Sequence, residues 1–141
     1  MQRSVAQLYA FAAGAGLLVV GVLGFFWSSD FSVGEAVTRP ENRAAVLGLL
    51  DVNGWHNLVH IASGLLGLAV AGSFSRARTY AVVFGAVYVV LAIYGAAVGA
   101  PGALFGLVPV NAADNVFHAV VGVAGLVCGL AAPRDPDPTT V

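Results

Sequence analysis

The sequence holds only three histidines, and all three fall in two related stretches. His56 and His60 lie in VNGWHNLVH, Val52 to His60, and His118 lies in VNAADNVFH, Val110 to His118. His56 and His60 are spaced i, i+4, which puts them on one face of a helix, and Asp114 and His118 have the same spacing. Three imidazoles and a carboxylate brought together would suit zinc, or iron or copper where a coordination position stays open. Asn57 and Asn115 stand beside these ligands in sequence and, with Tyr94, are candidates for the outer hydrogen bonds that orient metal-bound imidazoles. Two other readings fit the same residues. His60 and His118 could be axial ligands of a b-type haem, with Gly64 and Gly122 making room for the macrocycle. Alternatively they form a neutral hydrogen-bonded pair, or bond to Asn57, Asn115 or Tyr94, and simply hold helices together. Asn53 and Asn111 have a plainer explanation as helix N-caps, and Asp114, three residues after Asn111, can complete a capping box.

The elements that must position these groups are set by composition. Of 141 residues, 59% are hydrophobic and 9% charged, and the mean hydropathy is +0.88. A globular domain carries about 25% charged residues, so this chain is built for lipid. The stretches Val5 to Trp27, Asn53 to Phe74, Thr79 to Gly99 and Ala113 to Ala132 are each apolar over about the 20 residues a bilayer crossing needs. Without water every backbone amide must be satisfied within its own segment, which selects helices. The expected architecture is therefore an all-α membrane protein of four transmembrane helices. Arg3 before the first apolar run resembles a signal peptide, but the run is longer than the usual ~7–15 residues and lacks an A-x-A site, so a retained helix is expected.

Basic residues set the expected orientation. Arg3, the Arg76/Arg78 turn between the second and third helices, and Arg134 lie on one side, and the positive-inside rule makes that side cytoplasmic. Both termini are then inside, and both histidine motifs lie toward the outer face of a bacterial inner membrane. His60 and His118 follow their caps by seven residues, about 10 Å along a helix. That depth is within hydrocarbon, where ionisable groups are costly and mark functional sites.

The two motifs belong to a wider repeat. At an offset of 58 residues, Asn53 meets Asn111, Asn57 meets Asn115, His60 meets His118, Gly64 meets Gly122 and Gly67 meets Gly125. The first and third helices align at an offset of 71, pairing Ser4 with Ser75, Tyr9 with Tyr80, Gly14 with Gly85 and Gly24 with Gly95. The reading is a single domain over residues 1–132 made of a duplicated two-helix hairpin, with repeats at about 4–72 and 75–132, related by an axis along the membrane normal. Arg43 to Leu50 is expected as a short amphipathic turn, Pro101 to Val110 as an apolar loop resting in the interface, and residues 133–141 as a disordered cytoplasmic tail.

The motifs N-x-x-H-N-x-x-H-x-x-x-G, A-R-x-Y-A-x-x-F-G-x-x-Y and F-G-L-x-P-V-N-x-x-D-N-x-x-H resemble a family of small four-helix bacterial membrane proteins catalogued as a domain of unknown function. The resemblance runs from about Val5 to Ala131. It implies a four-helix membrane fold and no activity.

Several function classes are set aside by the sequence. Six Lys and Arg give no basic patch for nucleic acid. No G-x-S-x-G, H-E-x-x-H, Walker or GxGxxG signature is present, no catalytic group can be assigned, and the balance leans away from an enzyme. Cys128, the single cysteine, has no partner for a disulfide within the chain and reads as packing, as does the Phe84/Tyr88 pair. The leading reading is a multi-pass protein with a His/Asp/Asn cluster, possessing a transition-metal site. The alternatives are a structural subunit of a larger membrane complex, a small haem protein, or a transporter formed by a homo-oligomer.

Overall fold

A computed structural model describes residues 3–133. The expected disorder of the C-terminal tail, like Arg134, falls almost wholly on residues outside these. The chain is mostly helical. Helix α1 (Val5–Gly24) opens on Ser4, whose Oγ accepts from the Gln7 amide at 3.2 Å while the Gln7 side chain accepts from the Ser4 amide at 3.0 Å. This reciprocal pair satisfies two of the amide donors that every helix start leaves open. Two short 3-10 turns follow, at Gly34–Thr38 and Pro40–Asn42. Helix α2 spans Gly54–Val70, α3 Phe74–Val98 and α4 Ala112–Ala131.

Helices α1, α3 and α4 are long and apolar enough to cross a membrane. Their outward faces carry exposed Val19, Leu23, Val90, Ile93, Val120 and Leu130, a surface suited to lipid. Helix α2 is shorter, with 17 residues reaching about 25 Å. Helix α3 begins five residues before the expected Thr79, so Arg76 and Arg78 stand in its first turns rather than in a connecting turn. Arg78 Nε donates to the Ala132 carbonyl at 3.3 Å, tying the start of α3 to the end of α4.

Glycine sets how closely the helices approach. A Cβ on Gly14 would lie 2.9 Å from the Gly64 carbonyl oxygen, and one on Gly64 only 2.6 Å from the Leu18 amide. The α3–α4 contact is built alike: a Cβ on Gly85 would lie 2.8 Å from the Gly122 oxygen, and one on Gly122 2.7 Å from the Val89 amide. With no hydrophobic force between helices in lipid, such backbone-to-backbone contact is the main source of packing energy.

The two connections expected as an amphipathic turn and an apolar loop are instead β-hairpins. Strands β1 (Ala44–Val46) and β2 (Leu50–Val52) pair antiparallel, as do β3 (Gly102–Leu104) and β4 (Val108–Val110). Each turn puts two successive residues at positive φ: Leu47 (53°) and Gly48 (72°), then Phe105 (53°) and Gly106 (66°). Pairing satisfies backbone groups that an unpaired loop over the helix starts would leave bare. The Gly34 amide, at the start of the first 3-10 turn, donates to the Gly106 carbonyl at 2.7 Å and ties that turn to the second hairpin.

Candidate metal centre

Helices α2 and α4 leave their hairpins through asparagine caps. Asn53 Oδ1 accepts from the His56 amide at 2.9 Å, and Asn111 Oδ1 accepts from the Ala113 and Asp114 amides at 2.8 and 3.0 Å. Each cap then reaches across the molecule with its amide group. Asn53 Nδ2 donates to the Leu107 carbonyl at 2.7 Å, and Asn111 Nδ2 to the Leu49 carbonyl at 2.8 Å. Since capping fixes the first turn and the crossed bonds fix each helix start against the turn of the opposite hairpin, the rotations of α2 and α4 about their axes are constrained together.

Those rotations bring the histidines face to face. His56, His60 and His118 each offer a ring nitrogen, and these atoms all lie within 4.8 Å of one another. The rings of His56 and His60 are 4.3 Å apart between centroids, and those of His56 and His118 6.1 Å. All three side chains are buried, at 3%, 6% and 4% exposure.

Their hydrogen bonding is uneven. His56 Nδ1 lies 2.8 Å from the Asp51 carbonyl oxygen. A carbonyl can only accept, so Nδ1 carries the proton and Nε2 keeps a lone pair. This is the arrangement that fixes tautomer and ring angle in metal-ligating histidines. Nδ1 of His60 and of His118 find no hydrogen-bond partner among the described residues. Two of the three clustered rings therefore carry a buried nitrogen without a hydrogen-bond partner among the described residues.

The other expected site residues take different places. Asp114 lines the same cavity as the three rings, but its Oδ2 accepts from the Asn111 amide at 2.9 Å and from the Asp51 amide at 3.0 Å. It is not among the three groups that converge within 4.8 Å. Asn57 Nδ2 donates to the Ser28 carbonyl at 2.9 Å, and its Oδ1 presses against Gly24 without a donor. Asn115 Oδ1 presses against Gly95 in the same way. Tyr94 packs at a tilt against Phe105, with ring centroids 5.2 Å apart. The tyrosine at the site is Tyr88, edge-on to His118 at 5.1 Å. Sequence reasoning passed over it because Phe84 and Tyr88 at i, i+4 read as packing. Asp51 was passed over as well: it is buried, paired with Arg43 at 2.9 Å, and both its amide and its carbonyl serve the site.

Comparison with known proteins leaves the chemistry to this geometry. No curated protein and no solved structure matches the chain. A family match covers residues 7–131, and the chain belongs to the family described as Domain of unknown function (DUF4383).

Proposed function

We propose that this protein binds a first-row transition-metal ion in the membrane through His56, His60 and His118. The observation that carries the reading is the convergence of three buried ring nitrogens within 4.8 Å, two of the rings having an unpartnered Nδ1. Three imidazoles suit zinc, copper or iron and leave a fourth tetrahedral position open. Asp51, through its carbonyl, orients His56, while Asp114 holds the two helix starts in register beside the ligands. A haem between His60 and His118 would spread its macrocycle through the space of the His56 ring, so the trio favours a bare ion.

The same proposal includes the scaffold: four crossings with both termini cytoplasmic, formed by a duplicated hairpin in one domain. Its support is a set of crossed bonds. Tyr9 donates its hydroxyl to the Val121 carbonyl at 2.9 Å, and Tyr80 to the Ser63 carbonyl at 3.2 Å. Tyr9 and Tyr80 differ by the 71-residue offset and Ser63 and Val121 by the 58-residue offset, and the Asn53/Leu107 and Asn111/Leu49 bonds obey the second offset too.

Elemental analysis and an optical spectrum of detergent-purified protein test this reading beside a His60→Ala/His118→Ala variant. The expected result is a stoichiometric metal lost from the variant. A metal-free, colourless wild-type protein purified from metal-supplemented cells would overturn it and leave a hydrogen-bonded structural cluster.

A further inference from the structure

Helices α1 and α3 occupy matching positions in the fold but present different side chains to the flanks of the histidine cluster. At the 71-residue offset, Ala13 corresponds to Phe84, Gly16 to Val87 and Leu17 to Tyr88. Between α1 and α4 a single cavity of about 230 Å³ runs from exposed Ala12, Gly16 and Phe117 inward to His56, His60 and His118. Between α2 and α3 the corresponding space is divided. An outer groove lies on the lipid side, a pocket of about 140 Å³ lies against the rings, and Val59, Tyr88 and Leu91 form walls of both. Tyr88 is buried and backed by Phe84 at 4.2 Å, which in turn stacks on Tyr80 at 4.8 Å. An aromatic column narrows one flank, leaving a smaller pocket that reaches the rings past exposed Val59 and Phe105, while small residues leave the other flank wider.

We propose that the α1/α4 flank is the entrance to the histidine centre, and that it admits a small neutral molecule with an apolar body and one lone-pair donor atom, arriving from the lipid. The cavity is smaller than the roughly 300–1,000 Å³ of sites for drug-sized ligands, which limits the body. Apart from the histidines and Asp114 its walls are aliphatic and aromatic, so a charged molecule would lose its hydration without compensation. The inner end presents His60 and His118, whose Nδ1 atoms have no partner among the described residues. The donor atom's destination, the open metal position, rests on the metal reading above; the entrance itself rests on the cavity.

Gly16 allows the entrance to be tested without disturbing the fold. A Cβ there meets nothing within 4 Å among the described residues, so Gly16→Leu and Gly16→Phe fill the mouth rather than a helix contact. The probe is diethyl pyrocarbonate, a neutral lipid-soluble reagent that acylates imidazole nitrogen with release of carbon dioxide and ethanol. All three histidines belong to the cluster, so absorbance of the acylated rings reports on this site alone. In metal-free, detergent-purified full-length protein, both Gly16 variants are expected to slow acylation by roughly tenfold or more at unchanged thermal stability. Val87→Phe, in the outer groove of the narrower flank, is expected to leave the rate unchanged. Wild-type rates in both Gly16 variants, or equal slowing by Val87→Phe, would overturn the entrance. In cobalt(II)-loaded protein, pyridine is expected to shift the visible spectrum of wild type and not of Gly16→Phe, while anionic nicotinate shifts neither. A nicotinate response equal to that of pyridine would overturn the ligand class. Failure of cobalt(II) to bind would remove the metal reading and the donor's destination with it, and the acylation rates would still decide the entrance.

Discussion

The α1–α2 half and the α3–α4 half use the same parts to hold themselves together and different parts at the site. Both start their second helix on an asparagine that caps one half and bonds the other, and both send a tyrosine hydroxyl across to a partner carbonyl. At the head of the site the halves diverge, with Asp51 and His56 in one where Pro109 and Asp114 stand in the other. The reason is local. Asp114 accepts from the Asp51 amide, whereas Pro109 has no N–H to offer, so a carboxylate at position 56 would lack its cross-molecule donor. A histidine there turns Nδ1 to the Asp51 carbonyl and keeps a ring nitrogen within 4.8 Å of one on each of the other two rings. Shared positions build the frame, and the departures from sharing supply a third imidazole and a wider cavity on one flank.

That comparison can be broken or sharpened by paired substitutions. The largest effect is expected at the helix contacts. Gly64→Leu and Gly122→Leu drive a side chain into backbone on the neighbouring helix and should each cost more than the about 1–3 kcal/mol of an ordinary overpacked core. Thermal unfolding in detergent should show equal losses, and a large inequality would deny the equivalence of the two contacts. Asp114→Ala strands the Asn111 and Asp51 amides, at about 1–3 kcal/mol each, and should destabilise the protein without abolishing metal binding. Loss of all metal in that variant would make Asp114 a ligand. Asn53→Ala and Asn111→Ala should each cost about 0.5–2 kcal/mol from the cap alone, measured as shifts in melting temperature of similar size. The smallest effect belongs to Tyr9→Phe and Tyr80→Phe, at about 0.5–1.5 kcal/mol each, provided the stranded carbonyl stays within its helix bond.

Much of this was legible before the structure because lipid leaves the backbone few options. Long apolar stretches without water have to be helices, and the caps and the i, i+4 spacing of His56 and His60 follow from local rules. The β-hairpins were not legible: their turns place Leu47 and Phe105 at positive φ, where Asn or Asp would have signalled the turn, and three-residue strands carry no alternation to detect. The start of α3 was misplaced because Arg76 and Arg78 read as a polar connection, though arginine is a good helix former and Arg78 has a carbonyl to bond. Tyr88 and Phe84 were hidden for another reason. Their i, i+4 pairing is the same whether they pack a core or narrow a passage, and only the position of His118 beside Tyr88 separates the two.

Cobalt(II) titration of detergent-purified protein, followed by visible absorption, tests the three-histidine centre most directly. The account predicts saturation at one ion per chain with the intense bands of low-coordinate cobalt, and loss of that signal in His56→Ala, His60→Ala and His118→Ala alike, with Cys128→Ala unchanged. Absence of saturable binding, or a signal that survives all three histidine substitutions, would contradict it.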